Sequence, residues 1–195
     1  MNSRFYRVAY TIIKPIFRLL FPFRVEGLER LPEGGAVLCS NHNHALDPVM
    51  IAVALPKTGG PRFMAKKELF QNPILRWFLR KVGAFPVDRE GSDVQAMKTA
   101  MKCLQEGDKL LLFPEGTRVQ SEGDASAKGG AVMFATRTGV PMVPIYCGEK
   151  HKFFRHSRVV FGEPYMPQWE GRRPTAEENH QFAEELLRRI YALKK

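Results

Sequence analysis

Cysteine is scarce in this sequence, and its three occurrences are Cys39, Cys103 and Cys147. They are odd in number, far apart and outside any C-x-x-C pattern, which argues against a disulfide framework or a zinc ribbon and favours a reducing cytosol. Acidic residues are also in short supply, with 20 against 30 lysines and arginines, so the net charge is +10. A field of that sign attracts nucleic acid, anionic membrane surfaces or phosphorylated substrates.

The chain also lacks an apolar run long enough to cross a membrane. The stretch from Val8 to Phe23 is interrupted by Lys14, Pro15 and Arg18, whereas a spanning helix needs about 20 mostly apolar residues. It has neither the uncharged centre nor the small-residue cleavage site of a signal peptide. Alternating apolar and basic side chains instead indicate a helix in the membrane interface. The apolar anchors are Phe5, Ile12, Ile16, Leu19, Leu20 and Phe23, and the basic residues are Arg4, Arg7, Lys14, Arg18 and Arg24.

Two regions follow from this pattern. We expect residues 1–27 to form an amphipathic membrane-association segment and residues 28–195 to form one folded domain. A peripheral or monotopic protein on the cytoplasmic face of the cell membrane would result. The alternative is an amphipathic helix packed on its own domain, with Pro15 as a kink.

Short apolar runs and helical periods alternate along the rest of the chain. The predicted strands are residues 34–40, 61–65, 83–87, 108–113, 140–146 and 157–162, and the predicted helices are residues 48–55, 72–82, 92–107, 129–139 and 175–195. Two capping boxes, Ser92 with Gln95 and Thr175 with Glu178, mark helix starts. The alternation predicts a single α/β domain with a mixed, mostly parallel sheet flanked by helices. Its polar motifs follow strands, where open α/β sheets place their sites.

The stretch SNHNHALDP, residues 40–48, contains the first candidate site. On a helix, positions five apart point about 140° away from each other, so His42 and Asp47 meet only if the chain between them turns. Asp47 precedes Pro48 and therefore caps or closely precedes a helix. An aspartate bound to one imidazole nitrogen leaves the other as a general base. The alternative is a plain helix cap beside a loop histidine.

The same letters raise the question of a metal site, because His42, His44 and Asp47 form H-x-H-x-x-D. Zinc sites of the metallo-β-lactamase type have the motif H-x-H-x-D-H. Here the aspartate comes one residue later and proline follows it, so the motif does not match. The other histidines have no ligand-like spacing. We therefore expect no metal.

The stretch LLLFPEGTR, residues 110–118, contains the second candidate site. A buried strand ends in a loop where Gly116 allows close approach of the backbone, Thr117 offers hydrogen bonds and Arg118 can bind phosphate. A tight turn with an Arg–Glu surface pair is the alternative. Arg89 in VGAFPVDRE is a further phosphate candidate or a surface ion pair, and Lys66 in FMAKKELF is by itself a solvated lysine.

Taken in order, these pieces resemble the motifs of the glycerolipid acyltransferases. NHNHALD resembles their NHxxxxD motif, GAFPVDR their second, FPEGTR their third and VPMVPI their fourth, and AKKEL is also typical. The resemblance covers roughly residues 36–145 and is strongest to the short bacterial acyltransferases that act on lysophosphatidic acid. Two positions depart from the pattern, since His44 and Val119 stand where many members carry serine.

The resemblance implies direct acyl transfer from an acyl thioester to the free hydroxyl of lysophosphatidic acid. His42 would be the general base, oriented by Asp47, and the substrate-binding residues would be Lys66, Arg89, Glu115, Gly116, Thr117 and Arg118. The partners implied are acyl-CoA or acyl-carrier protein, a lysophospholipid and an anionic membrane surface. A thioester is already activated, so a base and oxyanion donors suffice and no cofactor is expected. The sequence has no G-x-S-x-G elbow for a serine nucleophile.

Three alternatives remain open at this stage. The acceptor could be glycerol 3-phosphate or another lysophospholipid. A thioesterase or other hydrolase could use the same His–Asp pair with water in place of the alcohol. A nucleic-acid-binding module would explain the charge, but the chain carries no recognisable signature of one, so we expect no nucleic acid partner.

Overall fold

The structure is a computed structural model that describes residues 4–88, 91, 93–118, 127–148 and 153–194. The helices are α1 (Arg4–Leu20), α2 (Asp47–Ala54), α3 (Pro73–Lys81), α4 (Val94–Gln105), α5 (Gly130–Thr138) and α6 (Ala176–Ala192). The strands are β1 (Phe23–Glu26), β2 (Ala36–Ser40), β3 (Arg62–Lys66), β4 (Ala84–Val87), β5 (Lys109–Leu112), β6 (Met142–Cys147) and β7 (Ser157–Phe161). Short 3₁₀ helices lie at Leu28–Arg30 and Lys67–Phe70.

All of these strands belong to one sheet in the order β1-β7-β6-β2-β5-β3-β4. Every neighbouring pair is parallel except β6 with β7, which is antiparallel. The central strands β2 and β6 are buried along their whole length, as expected of strands covered on both faces. The predicted α/β fold with a mixed, mostly parallel sheet is confirmed.

The chain before residue 28 is divided differently from the sequence-based expectation. Helix α1 ends at Leu20, and β1 joins the sheet edge, with Phe23 opposite Ser157 and Glu26 opposite Val160. Phe23 is only 3% exposed and packs in the core, so its prediction as a membrane anchor is wrong. Four residues are too few to show a strand period, and the strand that pairs with them comes late in the chain.

Helix α1 has two apolar faces. One buries Tyr6, Tyr10 and Phe17 against the domain, and the Tyr10 hydroxyl donates to the Leu55 carbonyl at 2.7 Å. The other carries large apolar side chains that are more than half exposed, namely Val8, Ile12, Ile16 and Leu19. The helix therefore packs on its own domain and still presents an apolar stripe. Among the described residues, no helix combines the length and the apolar character needed to cross a membrane.

The two predicted capping boxes have different outcomes in the structure. The capping box of Thr175 and Glu178 is present at the start of α6. At α4 the N-cap is Asp93, whose carboxylate accepts from the Ala96 amide at 2.9 Å. The box predicted at Ser92 is therefore replaced by a stronger, charged acceptor one residue later, and Ser92 itself lies outside the described residues.

The helices divide between the two faces of the sheet. Residues of α1 and α2 share one buried cluster, and residues of α4, α5 and α6 share the other. Helix α3 lies beside α1, because Phe5 packs against Trp77 with ring centroids 5.1 Å apart. The segments that follow the neighbouring strands β2 and β5 therefore turn to opposite faces of the sheet. Such a divergence opens a crevice at the carboxyl ends of the strands, where open α/β sheets bind ligands.

Candidate active site

The loop after β2 is held in place by a buried side chain. Asn41 is fully buried. Its side-chain Nδ2 donates to the Cys147 carbonyl at 2.9 Å, and its Oδ1 accepts from the Cys147 backbone amide at 2.7 Å. This pairing ties the loop to the end of β6. The next residue, His42, lays its ring on Phe113 at 4.1 Å between centroids with 24° between the planes. The imidazole is therefore restrained both by its backbone and by stacking.

His42 and Asp47 meet through the turn that their spacing required. The His42 Nδ1 lies 2.9 Å from Asp47 Oδ2, and the same oxygen accepts from the Asn43 and His44 amides at 2.8 Å each. Asp47 is 1% exposed. An oxygen that already accepts from two amides acts as an acceptor for the ring as well, so Nδ1 carries the proton and Nε2 is left as the basic nitrogen.

Glu115 is buried behind His42. It is 2% exposed, its Oε2 accepts from the His42 amide at 2.9 Å, and its Oε1 accepts from the Tyr191 hydroxyl at 2.5 Å. Burial raises the pKa of this carboxyl, and the two hydrogen bonds partly offset that effect. Substrate contact by Glu115 stays a prediction. In the structure its side chain does not line the apolar cavity beside His42, and both of its oxygens accept from protein groups.

The loop after β5 turns sharply at Gly116. This glycine has φ of +73°, a region that side chains rarely adopt, and its amide donates to the Phe113 carbonyl at 2.9 Å. Thr117 and Arg118 follow on the exposed side of the turn and line the adjacent cavity. Gly116 itself shapes the turn and does not line that cavity.

A cavity of about 850 Å³ opens beside His42 on the α1–α3 face. That volume is within the usual range for small-molecule sites. Its wall is mostly apolar, and its polar members are few, with Lys66, Thr117 and Arg118 among them. The apolar wall includes Ala9, Tyr10 and Ile13 of α1, Val49, Ala52 and Val53 of α2, and Phe78 and Leu79 of α3. Arg89, the remaining predicted site residue, lies outside the described residues.

Comparison with known proteins decides the family. The sequence model described as Acyltransferase matches residues 22–148. A 1-acyl-sn-glycerol-3-phosphate acyltransferase of Bacillus subtilis is 34% identical over 195 residues, which cover 96% of each chain. The chain belongs to the acyltransferase family.

A second relative and a solved structure are also similar to this chain. A 1-acyl-sn-glycerol-3-phosphate acyltransferase of Streptococcus pneumoniae is 39% identical over 148 residues, 71% of this chain and 54% of its own. The crystal structure of a 1-acyl-sn-glycerophosphate (LPA) acyltransferase from Thermotoga maritima matches with a TM-score of 0.71 at 23% identity. That match covers 100% of this chain and 84% of the other, and it shows a shared fold.

His44 in this acyltransferase contributes to the loop and not to the cavity. Its amide donates to Asp47, and its Nδ1 accepts from the Leu46 amide at 3.2 Å. Among the described residues, no group of three His, Cys, Asp or Glu side chains could hold a metal ion.

Sequence reasoning missed two aromatic parts of this site. Tyr191 sits in the last turn of α6, and Phe113 looked like the end of an apolar strand. Neither carries a local signal, because their contacts with Glu115 and His42 join residues far apart in the chain.

Proposed function

We propose that this acyltransferase moves an acyl group from an acyl thioester to the free hydroxyl of lysophosphatidic acid, giving phosphatidic acid. The observation that carries the proposal is a His42–Asp47 pair at the mouth of an apolar cavity with cationic side chains beside it. The relatives named above as acyltransferases for 1-acyl-sn-glycerol 3-phosphate support this acceptor.

The reaction needs one well-placed base. Nε2 of His42 takes the proton of the acceptor hydroxyl as that oxygen attacks the thioester carbonyl. The carbon–sulfur bond then breaks, and the imidazolium returns the proton to the departing thiolate. Asp47 keeps the proton on Nδ1 and stabilises the transient imidazolium. No covalent enzyme intermediate is involved.

The acceptor's phosphate is bound at the rim of the cavity in this proposal. Arg118 supplies a guanidinium that can bind phosphate in a bidentate way, and Lys66 supplies a second positive charge. Thr117 adds a hydroxyl. From the motif resemblance we also assign Arg89 to the phosphate. The apolar wall formed by α1, α2 and α3 then takes an acyl chain.

We further propose that an apolar rim docks the enzyme on an anionic membrane. The apolar rim consists of Val8, Ile12, Ile16 and Leu19 of α1 together with Ile74, Trp77 and Phe78 of α3. Trp77 is 54% exposed and Ile74 is 78% exposed, which is unusual for large apolar side chains. Basic residues accompany the rim, and these are Arg4, Arg7, Arg76, Arg80 and Lys81. This combination suits the interface of an anionic bilayer.

The position of the rim supports the docking proposal. Helices α1 and α3 carry the rim and also line the cavity, through Tyr10 and Ile13 of α1 and Leu79 of α3. Phe78 belongs to both the rim and the cavity wall. A bilayer-resident acceptor would therefore enter beside the residues that meet the membrane. In that arrangement the acyl chains move from the bilayer to the cavity without crossing water, which apolar chains avoid.

The direct test of the activity uses purified protein, vesicles containing lysophosphatidic acid and labelled acyl-CoA, with products identified by mass. Wild type should give phosphatidic acid, whereas free fatty acid alone would identify a hydrolase. His42→Ala should reduce the rate by about 10² or more, because the base is gone. His180→Ala is the matched control, since His180 is an exposed histidine on α6 paired with Glu184. A His42→Ala rate above about a tenth of wild type would refute the mechanism.

The docking proposal is tested by vesicle sedimentation. The double variant Ile12→Ser, Trp77→Ser should bind anionic vesicles at least about tenfold more weakly, because two large apolar side chains no longer leave water. Val94→Ser is the control, because Val94 is 58% exposed at the start of α4 on the opposite face. Equal losses in both variants, or no loss in the double variant, would contradict docking through the apolar rim.

A further inference from the structure

A second cavity lies on the α4–α6 face, across the sheet from the apolar one. Its volume is about 590 Å³, and its wall comes from α4, α5, the start of α6 and the segment that precedes α6. Three of its lining residues are arginines, namely Arg137, Arg172 and Arg173. Trp169, Met101 and Met133 are among its apolar lining residues. We call this cavity the cationic groove.

Some arginines elsewhere in the chain are held in ion pairs. Among the described residues, Arg30 pairs with Glu163 at 3.0 Å, Arg62 with Asp108 at 3.2 Å and Arg189 with Glu185 at 2.6 Å.

No acidic residue lines the groove, and within the described ranges its three arginines make no ion pair. Three like charges around one concave surface repel one another. Their positive field is best offset by a ligand with several negative charges, and guanidinium groups suit phosphate in particular.

The apolar part of the groove indicates a second feature of the ligand. Trp169 is partly buried and presents an aromatic surface next to the two methionines. A planar ring stacks well on tryptophan and on polarisable methionine sulfur. A ligand that combines a planar ring with several phosphate charges is a nucleotide.

The groove also begins close to the reaction site. Gly129 lines the groove, and the preceding residue, Lys128, donates its amide to the Pro114 carbonyl at 2.8 Å, one residue before Glu115. From there the groove follows α5 to Arg137, roughly 12 Å further at 1.5 Å per helical residue. The loop after β5 therefore connects the backbone of His42 to Gly129 in the groove wall. The pantetheine arm of a thioester at His42 is flexible and can follow this connection to the groove.

We propose that the cationic groove binds a phosphorylated nucleotide through Arg137, Arg172, Arg173 and Trp169. The chemistry is shared by the nucleotide end of coenzyme A and by a free nucleotide such as ATP. The coenzyme A source rests on the thioester function proposed above, whereas the binding of a nucleotide does not.

The first experiment measures binding without catalysis. Full-length protein is titrated calorimetrically with desulfo-coenzyme A, ATP and pantetheine. Wild type should bind at least one of the two nucleotides saturably, and Arg137→Gln, Arg172→Gln should weaken that binding at least about tenfold. Arg188→Gln is the matched control, because Arg188 is an exposed arginine on α6 outside the groove. Absent nucleotide binding in wild type, unchanged binding in the double variant or an equal loss in the control would overturn the proposal.

The second experiment identifies the source of the nucleotide. The KM for acyl-CoA is divided by the KM for acyl-pantetheine, which lacks the nucleotide. If the donor occupies the groove, this ratio should rise at least about tenfold in the double variant with kcat for acyl-CoA unchanged. If the double variant loses ATP binding and this KM ratio does not change, the ligand of the groove is a free nucleotide. Either result supports nucleotide binding by the groove.

Two other results separate the competing explanations. If the double variant binds nucleotides normally and is impaired only with acyl-carrier protein as donor, the groove docks an acidic protein and the nucleotide proposal is wrong. If wild type transfers no acyl group but binds nucleotide through these arginines, the proposed function fails and the groove assignment stands.

Discussion

Asp47 and Glu115 are both buried carboxylates that hold His42, yet they hold different parts of it. Asp47 accepts from the imidazole Nδ1, whereas Glu115 accepts from the backbone amide of the same residue. Asp47 therefore controls the tautomer and direction of the ring. Glu115 controls where the backbone that carries the ring lies. The comparison shows that a carboxylate's role depends on the atom that it contacts and not on its burial.

Their hydrogen-bond partners differ in the same sense. One oxygen of Asp47 accepts from three groups of its own loop, so the aspartate organises a local turn. Glu115 also accepts from Tyr191, at the far end of the chain, and so links the loop after β2 to helix α6. Burial raises the pKa of the Glu115 carboxyl. Burial of its charged form costs folding free energy, which indicates that Glu115 is there to position the backbone of His42.

The largest expected effect follows from changing the carboxylate that faces the ring. Asp47→Asn should lower kcat by roughly 10³ to 10⁴, because an amide can donate to Nδ1 and favour the wrong tautomer. Fold and vesicle binding should persist. Asp108→Asn, which alters a carboxylate paired with Arg62 outside the site, is the control in the same acyl-transfer assay. A loss below about tenfold in Asp47→Asn would mean that the ring needs no oriented partner.

A smaller effect is expected from the carboxylate that faces the backbone. Glu115→Ala removes the acceptor of the His42 amide and of the Tyr191 hydroxyl, so we expect unfolding free energy to fall by about 1 to 3 kcal/mol. Activity should fall by about tenfold, because the shifted backbone displaces the base. Glu115→Gln should retain most of the stability and most of the activity, since the glutamine carbonyl can accept from His42 and its amide can donate to Tyr191. Equal defects in the two variants would show that charge matters more than hydrogen bonding.

The raised pKa of Glu115 also predicts a pH dependence of stability. The folded protein holds this proton more tightly than the unfolded chain, whose glutamate titrates near 4.5. As pH rises from below 4.5 through the folded pKa, the buried carboxyl ionises and wild type loses stability. Glu115→Gln has no such loss, so its stability relative to wild type should increase from acid to neutral pH. Urea unfolding across that range measures the difference, and a flat difference would contradict the burial effect.

The smallest effect is expected at His44, whose backbone amide donates to Asp47 and whose side chain does not line the apolar cavity. Serine has the same backbone amide, so His44→Ser should change kcat by less than about threefold. The acyl-transfer assay checks this directly. A collapse comparable to that of His42→Ala, or activity restored by zinc after chelation, would instead make His44 a second base or a metal ligand.

Much of the fold could be predicted because its signals are local. The helix around residues 176–192 carries its own capping box, and the strand at 36–40 is an apolar run with turns beside it. Strand β1 could not be predicted in this way, because four residues become a strand only by pairing with β7. The N-cap of α4 was misplaced by one residue, since serine and aspartate both suit that position.

The same distinction applies to the site. The residues of the His42–Asp47 turn are close in sequence, and a proline beside them restricts the backbone. Sequence alone therefore determined that the two could meet. Only the tertiary structure decided that Glu115 lies behind the histidine, that Tyr191 holds it and that α3 joins α1 in an apolar rim. It also decided that Arg137 and Arg172 share one groove. These relations join residues distant in the chain, and their distances depend on how the sheet and helices pack, which no local pattern encodes.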